Sequence, residues 1–155
     1  MFVFKKKHLI SLLLALVLWI CSSLHVVGMY QGINSLAVMA PIYRGATDKP
    51  NVSLMFNVDW GEEFIPQILE VLKETDISAT FFPTGTWAEK NPDLLNEVLA
   101  AGHEVGNHGG SHVHVEHMPR EKLQDVIKEG EYMIMEAAGV PPARLFAPPY
   151  GEWSD

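Results

Sequence analysis

Between residues 50 and 147, short apolar runs alternate with longer stretches whose apolar residues recur every three or four positions. That alternation limits the possible folds more than any other feature. A run that is apolar on both faces suits a strand buried in a parallel sheet, and a 3.6-residue period suits a helix with one covered side. Val52–Val58 is the first such run. Ile65, Ile68, Leu69 and Leu72 follow at helical spacing and predict a helix from Phe64 to about Glu74. Ser78–Phe82 predicts a second strand. Asn91-Pro92 then opens a helix with Leu94, Leu95, Val98 and Leu99 on one stripe, stopped by Gly102. His103 to about Asn107 is the expected third strand, and Arg120 to Ala138 the next helix, closed by Gly139 and Pro141-Pro142. Arg144–Ala147 is the fourth expected strand. Strands and helices in this order build βα units, hence an α/β fold on a parallel sheet or barrel.

The 155 residues, 48% of them hydrophobic, suffice for one ordinary domain. Residues 1–30 stand apart from it. Lys5-Lys6-Lys7 precede the apolar run Leu9–Cys21, a pattern that predicts a signal peptide or signal anchor formed by an N-terminal apolar helix. The anchor is favoured, because no small-x-small cleavage site follows closely; membrane contact would run through residues 9–30. The lysines would then stay inside, leaving the rest membrane-anchored or secreted on the extracytoplasmic side. Residues 31–49, with Gly32, Asn34, Pro41, Gly45 and Asp48, show no sustained period and read as a stalk or linker, so the domain is expected at 50–155. Cys21 is the single cysteine, which excludes a disulfide framework. Three of the eleven basic residues fall within the first 30, leaving eight against 19 acidic ones. So acidic a segment lacks the basic face that phosphate contacts demand, and nucleic acid is excluded as a partner.

Chemistry concentrates behind the third strand, in Asn107-His108-Gly109-Gly110-Ser111-His112. Two imidazoles four residues apart can project to one side of a coiled backbone and share a cation about 2 Å from each. A divalent metal is therefore expected, zinc first, since neutral imidazole suits it and an open position lets it activate water. A solvated surface pair is the bland alternative. Placement after a strand favours the metal, because ligands in open α/β folds gather at the carboxyl ends of strands.

Taken together in order, Tyr43-Arg44-Gly45, Phe56–Glu63, Ala79–Gly85, His108–His112 and Phe146–Gly151 resemble the polysaccharide deacetylases of carbohydrate esterase family 4. Within that family the chain looks most like the membrane-anchored homologues of spore formers. The resemblance covers residues 50–155 and implies a distorted (β/α) barrel of which this chain holds the N-terminal half only, as if truncated at Asp155. It implies metal-dependent removal of N-acetyl groups from amino sugars of peptidoglycan or a chitin-like polymer. An N-acetylated glycan is thus the expected partner.

Carried over position by position, the resemblance makes His108 and His112 metal ligands, with Asn107 and Ser111 as hydrogen-bonding residues that fix ring orientation. His114 and His117 fall outside that motif. The first motif departs: where relatives place two adjacent Asp after Phe, Phe56 is followed here by Asn57, Val58 and Asp59. Asp59 is expected to ligate the metal or activate water if a bulge re-aims it, with Glu62 and Glu63 close by; the alternative is that it caps the following turn. The third motif departs too, with Ala147 where relatives carry the Arg that holds the catalytic Asp. An Arg lacking its carboxylate would be a costly buried charge, so the two losses are chemically coherent. Arg144 points to the other face of its strand and does not replace it. The Tyr150 backbone N–H would help hold the oxyanion. Trp60, Trp87 and Trp153 are sugar-stacking candidates, though core roles are the commoner use. Two readings stay open: a metal-dependent N-deacetylase, or a catalytically weak or inactive homologue that binds or scaffolds the wall.

Overall fold

The computed structural model describes residues 16, 41–45, 48 and 50–153. The signal peptide or anchor and its apolar helix lie outside the described residues, apart from Leu16. Among the described residues no helix is long and apolar enough to cross a membrane. Residues 41–45 of the expected stalk carry no helix or strand.

The unit that begins at Arg44 is built on three parallel strands in the order β1 (Met55–Val58), β2 (Thr80–Pro83) and β3 (Glu104–Val105). Phe56 lies opposite Phe81, and Phe81 opposite Val105. Parallel neighbours need a crossover, and helices supply it. After β1 comes a 3-10 turn, Glu62–Phe64, and then α1 (Ile65–Glu74), which buries Ile65 and Leu72 against the sheet. β2 leads into a short helix, α2 (Gly85–Lys90), that the apolar period did not predict, and then α3 (Pro92–Ala100), which buries Leu95 and Val98. The longest helix among the described residues, α4 (Arg120–Ala138), has the bounds expected and ends on Gly139 in the left-handed conformation.

All four expected strands are shorter than their apolar runs, the first beginning only at Met55 and the second only at Thr80. The third keeps only Glu104–Val105, and the fourth contracts to one parallel bridge between Asn107 and Phe146. The cause is local: Pro148 and Pro149 follow Phe146 within three residues, and proline cannot donate to a ladder. The described strands form an open parallel sheet, and no barrel closes among the described residues.

Phe81, Trp87, Ala88, Leu95, Val98, Val105 and Ile134 are buried between sheet and helices. The rings of Phe56 and Phe81 stack at 4.9 Å, so the aromatic centre of the core lies between β1 and β2. Each fully buried side chain of this size adds roughly 1.5–3 kcal/mol. That packing holds the strands level, and the loops at their carboxyl ends therefore meet.

Candidate functional site

Four loops converge at that end: Asp59–Gly61 after β1, Thr84 after β2, Asn107–His112 after β3, and Ala147–Gly151 after the Phe146 bridge. The histidine loop is tied down on both sides. The Gly109 and Gly110 carbonyls accept from Gly85 N (2.8 Å) and Thr86 N (2.9 Å), in the first turn of α2. On its other side, Gly110 N donates to Val126 O (3.0 Å) and the Asn107 amide donates to Ile127 O (2.8 Å), both on α4. This close approach is possible because residue 130 is glycine. A Cβ there would stand 2.4 Å from Asn107 Oδ1 and 2.6 Å from the Gly109 carbonyl carbon.

His108 is almost wholly buried, 1% exposed, with its Nδ1 2.6 Å from the Ala147 carbonyl oxygen. A carbonyl only accepts, so Nδ1 carries the proton and Nε2 keeps its lone pair. Burial pushes the imidazole below its ordinary pKa of 6.5; the Ala147 bond opposes this, His112 adds to it, and Asp59 opposes it. Loss of water around the ring is the largest of these influences, so the neutral ring prevails. His112 is half-buried, its ring centre 5.1 Å from that of His108. The structure thus brings the two expected imidazoles together.

Asp59 sits beside them without completing a ligand set. Its Oδ1 accepts from Thr84 Oγ1 at 2.9 Å, and the same hydroxyl accepts from Trp87 N at 3.2 Å as the N-cap of α2. Among the described residues no three His, Cys, Asp or Glu side chains group closely enough to hold an ion. Asp59 and His112 do line one cavity of about 600 Å³, together with Trp60, Glu62, Trp87 and Lys90. A larger cavity, about 720 Å³, lies at the amino ends of β2 and β3 near Ser78 and His103, away from the histidines.

Other expected residues separate. Asn107 orients the loop and not the rings: its amide donates to Ile127 O and its Oδ1 accepts from Gly109 N at 2.7 Å, while the His108 ring is fixed by the Ala147 carbonyl. The Ser111 carbonyl accepts from Val113 N within the loop. Arg144 is exposed and lines a different cavity, beside Asn107 and Glu131, so it does not replace the missing Arg. Asn57 and Ala147 belong to opposite edges of the sheet. Trp87 is core; Trp60, 78% exposed, stands at the cavity rim. Tyr150 lies in a 3-10 turn, Pro149–Gly151, whose hydrogen bonds run from Gly151 N to Pro148 O and from Glu152 N to Pro149 O, so neither uses the Tyr150 N–H.

The Tyr150 ring meets His112 edge-on at 4.4 Å and stacks on His114 at 4.0 Å. His114, which lies outside the histidine motif, and Glu152, carried by no motif, therefore enter the site; Nδ1 and Oε1 are 2.6 Å apart. Only the i+2 spacing of His114 from His112 hinted at this.

A family model for polysaccharide deacetylase matches residues 44–155. YlxY of Bacillus subtilis (strain 168), an uncharacterized protein, is 34% identical over 113 residues, 73% of this chain and 35% of its own. A peptidoglycan-N-acetylglucosamine deacetylase of Bacillus cereus is 34% identical over 110 residues, 71% of this chain and 40% of its own. A CE4-family pseudoenzyme from Bacillus anthracis superposes with a TM-score of 0.70 at 40% identity, over 75% of this chain and 41% of its own. A mutant of that pseudoenzyme with restored enzymatic activity gives 0.70 at 36% identity, over 74% of this chain and 42% of its own. The chain spans well under half the length of these relatives. Through residues 44–155 it belongs to the polysaccharide deacetylase family, carbohydrate esterase family 4.

Proposed function

We propose that this domain takes part in metal-dependent hydrolysis of N-acetyl groups from amino sugars of a cell-wall polysaccharide, peptidoglycan or a chitin-like polymer. The observation that carries the reading is the bond from His108 Nδ1 to the Ala147 carbonyl, which fixes the tautomer and leaves Nε2 as a ligand nitrogen beside His112. Two neutral imidazoles fit a divalent ion, with zinc preferred by donor type, and Asp59 on the shared cavity is the carboxylate that would join them. When bound, such an ion would polarise both water and the acetamide carbonyl.

The chain's own residues would supply the rest. If Asp59 stays off the ion, its carboxylate, oriented by Thr84, instead takes a proton from the attacking water, and the Tyr150 N–H donates to the carbonyl oxygen as charge develops on it. Expulsion of the amine needs a proton, which Asp59 can return. Trp60 offers an exposed aromatic face to the pyranose at the cavity rim. The apolar segment before residue 30 would tether the domain to the membrane on its outer side, which fractionation of tagged protein with protease protection checks.

Specific observations favour a second reading, a catalytically weak or inactive homologue that binds the wall. Asn57 and Ala147 stand where relatives carry Asp and Arg, no three-donor group forms among the described residues, and a pseudoenzyme is among the solved structures this chain resembles. Acetate release from N-acetylated peptidoglycan and chitooligosaccharide, with and without chelator, separates the two. Chelator-sensitive release supports hydrolysis; glycan binding without release supports the homologue.

A further inference from the structure

The two imidazoles are held by different means. A backbone carbonyl anchors His108, whereas the contacts of the His112 ring are aromatic, with His108 at 5.1 Å and the edge-on Tyr150 at 4.4 Å. Tyr150 reaches that place with φ 60° and ψ 1°, a left-handed conformation that residues bearing a Cβ rarely adopt. Something must hold it there. His114 covers the Tyr150 ring nearly parallel, at 9°, and its Nδ1 lies 2.6 Å from Glu152 Oε1. The other carboxylate oxygen accepts from Val115 N at 3.0 Å and Glu116 N at 3.3 Å. One carboxylate therefore ties the end of the Tyr150 turn to three donors on the segment that follows His112.

We propose that His114 and Glu152 are positioning residues: they grip the Tyr150 ring and turn, and Tyr150 in turn fixes the orientation of the His112 imidazole. The proposal rests on the reading that His108 and His112 share an ion. Neither residue has to touch that ion or the substrate.

The full chain, stripped of metal by chelator, tests it by NMR of the histidine ring protons, with circular dichroism to show that each variant is folded. Glu152→Ala and Tyr150→Ala are expected to abolish the ring-current shift at His112 and leave His108 unmoved. Glu152→Gln, which keeps an acceptor for His114, is expected to retain most of that shift. Zinc titration should then show affinity falling about 10- to 100-fold in Glu152→Ala and in Tyr150→Ala, with no further loss in the double variant. An unchanged His112 shift in Glu152→Ala, or losses that add in the double variant, would overturn the proposal. Failure of zinc to bind the unaltered chain would sink the metal reading alone, and the ring shifts would still decide the positioning.

Discussion

Replacing Gly130 by alanine is the sharpest test of how the histidine loop is held. In an unobstructed helix interior the change gains about 1 kcal/mol of helix propensity. Here the new Cβ meets Asn107 Oδ1 at 2.4 Å and the Gly109 carbonyl carbon and oxygen at 2.6 and 2.8 Å. Two of these are backbone atoms in a loop bonded to both α2 and α4, so the loop must shift. Overpacking of this kind costs roughly 1–3 kcal/mol. Displacing Asn107 also endangers its bonds to Gly109 N and Ile127 O, at about 1 kcal/mol each. Set against the propensity gain, the net effect is a destabilisation of about 2–4 kcal/mol. Urea unfolding of the metal-free chain measures it, with Lys128→Ala on the exposed side of the same helix as the control. The control should change little. If Gly130→Ala proved more stable by the propensity gain alone, the claimed close approach of loop and helix would be refuted.

His108→Ala and His112→Ala should each abolish high-affinity zinc uptake in isothermal titration, whereas Ala147→Ser should not, because its carbonyl remains; equal uptake by all three would contradict the assigned ligands. Thr84→Val removes both the bond to Asp59 and the cap of α2, and should lower stability by about 1–2 kcal/mol in denaturant titrations, with Thr84→Ser restoring most of it. Metal-free protein should lose stability as pH falls below 6.5: burial holds the His108 pKa under that value in the folded state, so the unfolded chain binds more protons there. Denaturation midpoints at several pH values, compared with His108→Gln, would show this component missing from the variant.

The βα order, the bounds of α4 and the meeting of the two histidines were readable because each rests on local periodicity or short spacing. α2 was not, since Gly85–Lys90 has too few apolar positions to show a period and is set by its Thr84 cap and by carbonyls from the histidine loop. The contraction of the fourth strand follows from prolines that the apolar pattern of Arg144–Ala147 had outweighed. Glu152 was invisible for a different reason. Its partners lie 36 to 38 residues away, and no spacing rule connects an acidic residue after a Gly to so distant a loop of the same unit.

The anchor that Ala147 offers to the first imidazole is a main-chain oxygen, and all twenty amino acids carry one. Side chains at this position can therefore drift without loosening the ring, provided the local path of the chain is kept. The proposed ligand geometry at His108 would then tolerate changes of side chain at position 147 that a side-chain anchor would not.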